Sequence, residues 1–163
     1  PPPFRQEPLV STLEAYFQGK KDLFGGLAME RWEKDWESYL VLHIDFSLTK
    51  YMELTDLTGQ LNLFLHRWEK IYGKDEAEKT ASERLQGIIL RASEQIGKQV
   101  VVLIDEYDAP LLDSNSDTAL QQQLRNEMRK FFSPPQEVGA VSSLSLHHRH
   151  QQVQPTEHLQ RTE

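Results

Sequence analysis

An α/β protein with a parallel sheet and flanking helices is the fold class this sequence predicts, and three observations carry it. Val100–Ile104 is an unbroken run of β-branched and aliphatic residues, the pattern of a strand buried on both faces. Tyr39–Phe46, YLVLHIDF, is a second run of strand length. Between the two lie a pair of amphipathic helical stripes, enough chain for the crossover that parallel strands require.

Taken in order, Pro1–Pro8 (PPPFRQEP) fits no element and reads as an unstructured lead-in. From Leu9 to Phe17 the apolar residues Leu9, Val10, Leu13, Tyr16 and Phe17 recur at helical spacing. Gly19 is the natural stop of that helix, and Lys20 and Lys21 suit the negative end of its dipole. Leu23–Ser38 carries Trp32 and Trp36 and is expected to be a short helix or loop packed on the core. His43, inside the Tyr39 strand, reads as a hydrogen-bonded strand residue rather than a catalyst. Leu57, Leu61, Phe64, Leu65, Trp68 and Tyr72 then form one stripe, ended by Gly73. Thr80 and Glu83 have capping-box spacing ahead of Leu85, Ile88, Ile89, Ala92 and Ile96, with Gly97 as the stop.

The Gln99–Ile104 strand leads into a loop expected through Pro110 to Asn115. Ser116 is the expected cap of a last helix with the stripe Leu120, Leu124, Met128 and Phe131, leaving Arg125 and Arg129 on its solvated face. Ser133–Glu163 is rich in Gln, Ser and His and shows no helical or strand period, so composition assigns it to a disordered tail. His147–His150 (HHRH) reads as part of that polar tail rather than as a metal tract. The chain thus divides into a lead-in at 1–8, a domain at 9–132 and a tail at 133–163.

Composition narrows the classes further. One domain of ordinary size fits 163 residues, and 38% hydrophobic with 26% charged residues is a globular balance. A formal net charge of −7 argues against a surface built to neutralise nucleic-acid phosphates. Cysteine is absent, which excludes disulfides and thiolate chemistry and suits a cytoplasmic protein. No apolar run approaches the roughly 20 residues of a membrane span.

The residues with chemistry to offer are Asp105 and Glu106, which follow the apolar run directly. At the carboxyl end of a parallel strand such acids stand where ligands bind in open α/β folds. Two readings remain open on this pattern. In one, Asp105 orders Mg²⁺ on nucleotide phosphates and Glu106 polarises the attacking water, as in a Walker B segment. In the other, a core strand simply ends in two solvated acids.

Three segments in order, STLEAYFQGKKDLF at Ser11–Phe24, VLHIDFS at Val41–Ser47 and QVVVLIDEYDAPLLD at Gln99–Asp113, resemble the bacterial AAA-ATPase-like domain family. The likeness covers about Leu9–Phe132. It implies a P-loop NTPase fold, ATP and Mg²⁺ as cofactors, Asp105 as the metal-ordering acid and Glu106 as the catalytic acid. A PD-(D/E)XK nuclease-like domain often follows in this family, so such a domain is an implied partner in the full-length gene. The family's phosphate loop, of the form RPRRFGKSLL, should stand just before Ser11. Here the position holds PPPFRQEPLV, without glycine, lysine, serine or threonine, so the loop's phosphate chemistry has no residues to rest on.

The genetic code permits the missing text one nucleotide later. Pro1–Pro8 can be encoded so that the shifted frame reads PRRFGKS. His147–Thr162 permits ITGISKFSQLSIFSEL, which resembles the family's next strand and loop. The expectation is therefore a frame-shifted fragment of a P-loop fold. Its central strands would be missing and its two remaining strands left with open edges. As ancestry the chain reads as an ATPase. As translated it reads as inactive, the alternative being a non-catalytic remnant or protein-interaction fragment.

Overall fold

The computed structural model describes residues 9–114, 116–133 and 141–145. Helix α1 (Leu9–Phe17) and the short α2 (Ala28–Trp32) precede strand β1 (Leu40–Asp45). Long helices α3 (Leu54–Tyr72) and α4 (Ala81–Ile96) then lead to β2 (Val100–Asp105). A one-turn α5 (Ala109–Asp113), α6 (Thr118–Phe131) and β3 (Val141–Ser145) complete the order.

The three strands form one parallel sheet in the order β1-β2-β3, so β2 is central. Its register runs from Leu40 opposite Val100 to Asp45 opposite Asp105 on one side. On the other it runs from Val100 opposite Val141 to Ile104 opposite Ser145. The expected parallel pair is therefore present, but its strands do not stand alone. The third strand falls in the stretch that composition assigned to a disordered tail. VSSLS carries too little apolar period to announce a strand, yet parallel pairing draws on backbone N–H and C=O groups that every such residue has. Pro1–Pro8 and His147–His150 lie outside the described residues, and so does most of the 133–163 stretch.

Alternation along β2 divides the interior in two. Val100, Val102 and Ile104 join Leu42, Ile44 and the inward faces of α3, α4 and α6 in the larger core. Val101 and Leu103 face the other way, where Val10, Leu13 and Phe17 of α1 cover them. The unbroken apolar run is thus explained by helices on both faces of the sheet. Each such fully buried side chain contributes on the order of 1.5–3 kcal/mol.

The long helices start and stop largely where local chemistry dictates. Thr80 accepts from the Glu83 N–H while the Glu83 side chain accepts from the Thr80 N–H. Gly97, in the left-handed region at φ 68°, ends α4. A second capping box, Glu53 with Asp56, opens α3. The cap of α6 is Asp117, which accepts from Leu120 N–H at 2.9 Å, rather than the expected Ser116. Adjacent capable acceptors differ only in which one the preceding turn brings under the helix end. The expected loop after Pro110 begins as α5, because proline lacks an N–H and fits the first helical turn. Ile96 is exposed at the frayed end of its stripe. Trp32 is also exposed, against expectation, whereas Trp36 packs on Phe24 and Tyr16.

Two ion pairs lie in the layer made by α3 and α4. Arg84 donates to both carboxylate oxygens of buried Glu69, at 2.6 and 2.9 Å, and to Asn62 at 2.6 Å. Arg91 makes a two-pronged contact with Glu78 at 2.5 and 3.1 Å. Glu78 lies across Gly87 of α4, where an added methyl group would collide with its carboxylate.

Two outcomes follow from this layer. Gly87→Ala improves helix propensity but evicts Glu78, so we expect a net loss of about 1–2 kcal/mol in urea unfolding. For Glu69, the hydrogen bond from Arg84 holds the carboxyl below its usual range. A depressed carboxylate contributes stability above its unfolded-state value and loses it as pH falls through the folded value. Glu69→Gln should therefore cost about 2–3 kcal/mol near neutrality, and the gap to the parent chain should close as the solution is acidified.

Candidate functional site

The carboxyl edge of the sheet collects acids from both long strand runs. Leu40–Asp45 and Val100–Asp105 each end their apolar run on an aspartate, and the register sets those two residues side by side. Asp105 is half-buried and its Oδ1 accepts from the Glu106 N–H at 2.9 Å. Its Oδ2 takes no hydrogen bond among the described residues, so one oxygen remains for another partner. Asp45 is committed in part: its Oδ1 accepts from the Ser47 N–H at 2.8 Å.

Glu106 turns the chain out of the strand. Its φ of 51° is in the left-handed region, which costs an L-residue about 1–2 kcal/mol. The turn closes when Ala109 N–H donates to the Glu106 carbonyl at 2.9 Å. Glu106 is therefore half-buried at the head of a tight turn into α5, directly beyond Asp105.

A second set of contacts ties the segment after β1 to α5. Asp113 accepts from the Tyr51 N–H at 3.2 Å and from Lys50 Nζ at 3.0 Å. The fully buried Tyr51 hydroxyl donates to the Phe46 carbonyl at 2.9 Å. Burial first, and then the charges of Asp45, Asp113 and Asp56, push the Tyr51 phenol well above its ordinary value. It stays a neutral donor at any physiological pH. Ser114, also buried, closes α5 by donating to the Pro110 carbonyl at 2.9 Å. The nearby Asp108 Oδ1 is shielded from solvent and has no hydrogen-bond partner among the described residues.

The structure thus brings Asp105 and Glu106 to the edge where the sequence placed them. Asp45, Tyr51 and Asp113 were not singled out from the sequence. For Asp45 a signal existed, since its strand repeats the apolar-run-then-Asp pattern of β2. Tyr51 and Asp113 lie in loops and short turns, where no period marks them. His43 differs from expectation: its Nδ1 lies 3.9 Å from Glu14, and its shielded Nε2 has no partner among the described residues.

Among the described residues no group of three or more His, Cys, Asp or Glu side chains could hold a metal ion by itself. A Mg²⁺ ion would ask for less, because it keeps most of its shell as water and phosphate oxygen and takes one or two carboxylates from the protein. Asp105 has the open oxygen for such a role. The phosphate side of the site has no counterpart in PPPFRQEPLV.

A parallel α/β domain with acids at the carboxyl edge of its central strand defines the class of this protein. Comparison with known families makes the class specific: the model of the family described as "Predicted AAA-ATPase" matches residues 4–144. The chain belongs to this AAA-ATPase-like family. It is also 31% identical over 132 residues to an uncharacterized protein encoded in the vnfD 5′ region of Azotobacter chroococcum mcd 1. That alignment covers 80% of this chain and 25% of the relative, so the chain spans about a quarter of the relative's length. No solved structure matches it. No helix among the described residues is long and apolar enough to cross a membrane.

The left-handed turn at position 106 gives a direct test of the local geometry. Glycine adopts this conformation without steric cost, whereas alanine does not. Glu106→Gly should be about 1 kcal/mol more stable than Glu106→Ala in denaturant unfolding, the reverse of their order at an ordinary extended position.

Proposed function

We propose that this chain carries the acidic half of a MgATP site and, as translated, does not turn ATP over. The observation that carries the reading is Asp105 at the end of the central strand with an uncommitted carboxylate oxygen. Membership of the AAA-ATPase-like family supplies the nucleotide. In this reading Asp105 would hold Mg²⁺, and Glu106, displaced from the strand by its turn, would polarise a water. The bound metal would neutralise phosphate charge. Asp113 and Tyr51 act as positioning residues that keep the segment after β1 against α5.

The same reading accounts for inactivity. Two acids repel the anionic phosphates unless backbone N–H groups and a lysine oppose them, and residues 1–10 offer no glycine or lysine for that purpose. The frame-shift account is part of the proposal. A nuclease-like domain beyond this chain, and a cytoplasmic setting, remain parts of the family expectation.

Calorimetric titration separates the outcomes. The chain should show no MgATP binding in the micromolar range, and no hydrolysis that Glu106→Gln abolishes. A version with GKS restored before Ser11 should gain a MgATP-dependent rise in melting temperature, since a ligand bound only by the folded state stabilises it. Micromolar binding by the present chain would overturn the inactive reading. A restored version indifferent to MgATP would overturn the ATP assignment.

A further inference from the structure

A second concave feature lies where residues from the end of α1 meet those leading into β1, away from the carboxyl edge. Tyr16, Glu33, Asp35, Trp36, Glu37 and Tyr39 enclose a cavity of about 140 Å³. Its walls are aromatic and its charges are all negative. The Tyr16 and Trp36 rings meet at 65° with centroids 5.8 Å apart, forming a corner. The Tyr16 hydroxyl donates to Glu33 Oε2 at 2.7 Å, and the Tyr39 hydroxyl donates to Glu37 Oε2 at 2.8 Å. Each phenol therefore fixes a carboxylate at the rim.

Three partly buried carboxylates elsewhere in the fold have cationic partners: Glu69 has Arg84, Glu78 has Arg91 and Asp113 has Lys50. Glu33, Asp35 and Glu37 make no ion pair with any described residue. The Tyr16 hydrogen bond holds the Glu33 carboxyl below its usual range, so it is an anion near neutrality. The indole Nε1 of Trp36, a residue of the cavity wall, is shielded and has no acceptor among the described residues.

We propose that this cavity binds a protonated alkylamine, with the ammonium among the three carboxylates and the alkyl stem against the Tyr16–Trp36 corner. Aromatic faces attract a desolvated cation through their quadrupoles, and nearby carboxylates add charge attraction. A bare metal ion is a poorer fit, because among the described residues no group of three or more acidic side chains could hold one. The same head chemistry comes from a free diamine or from a lysine side chain of another protein.

The test follows the Trp36 indole N–H by NMR in the full chain, with the signal assigned through Trp36→Phe. The probes are n-butylammonium and its neutral counterpart n-butanol. Butylammonium should shift the signal saturably and lose affinity with added salt, and butanol should leave it nearly unmoved. Glu33→Gln and Glu37→Gln should each weaken binding about three-fold or more. Glu76→Gln, on a remote surface, should not. Tighter binding of putrescine than of Nα-acetyl-lysine methylamide supports the proposal with a free amine as ligand, and the reverse order supports it with a lysine side chain. Equal shifts from butanol and butylammonium, absence of saturation, or unchanged affinity in both glutamine variants would overturn it. Unaltered amide spectra of the variants show that any loss is local.

Discussion

The constraint on which the rest depends is that β2 must be buried on both faces and paired on both edges. Five consecutive apolar side chains cannot be hidden by a single layer of helices. Their alternation forces α3, α4 and α6 to one side and α1 to the other. Their backbone N–H and C=O groups must also be met in an interior without water, which β1 and β3 accomplish. Asp105 stands where that apolar demand ends, so its place at the sheet edge is a by-product of core formation. The position proposed to order Mg²⁺ is thus one that hydrophobic burial has already fixed.

Charge is handled differently in the two halves of the molecule. In the α3–α4 layer, carboxylates that lose water are matched by arginines with planar, two-pronged contacts. At the carboxyl edge, Asp45 and Asp105 are instead capped by backbone N–H groups. Backbone caps neutralise less charge than a guanidinium does. The first arrangement stabilises a fixed interface, and the second leaves acids able to accept a further partner.

Much of this was legible from local chemistry. The Thr80–Glu83 capping box, the Gly97 stop and the double-faced strand follow from rules that need only neighbouring residues. The α3 cap was missed because glutamate seldom opens a helix, although Glu53 and Asp56 satisfy the same reciprocal geometry. Trp32 and Trp36 are four apart on paper, but α2 ends at Trp32 and Glu33 is already extended, so the two rings do not share a helical face and Trp36 packs inward. Strand β3 was hidden because pairing with an existing strand asks little of its sequence. The aromatic-walled cavity was invisible for a different reason. Tyr16 and the 33–39 segment are brought together by the docking of α1, a long-range event with no periodic signature.

The two faces of the sheet are covered unequally, and that has a kinetic consequence. Among the described residues, three helices seal the larger core, whereas a single nine-residue helix closes the smaller one. The Phe17 carbonyl accepts from Tyr39 N–H at 2.7 Å and secures one end of that helix. Along its length the polar link to the sheet is the long Glu14–His43 approach of 3.9 Å. Opening of the fold thus has a preferred order. The α1 layer lifts before the α3–α4–α6 layer parts, because it releases less buried surface. Amide protons in α1 are therefore expected to exchange with solvent through that small opening, and those of β2 only on dissolution of the whole domain.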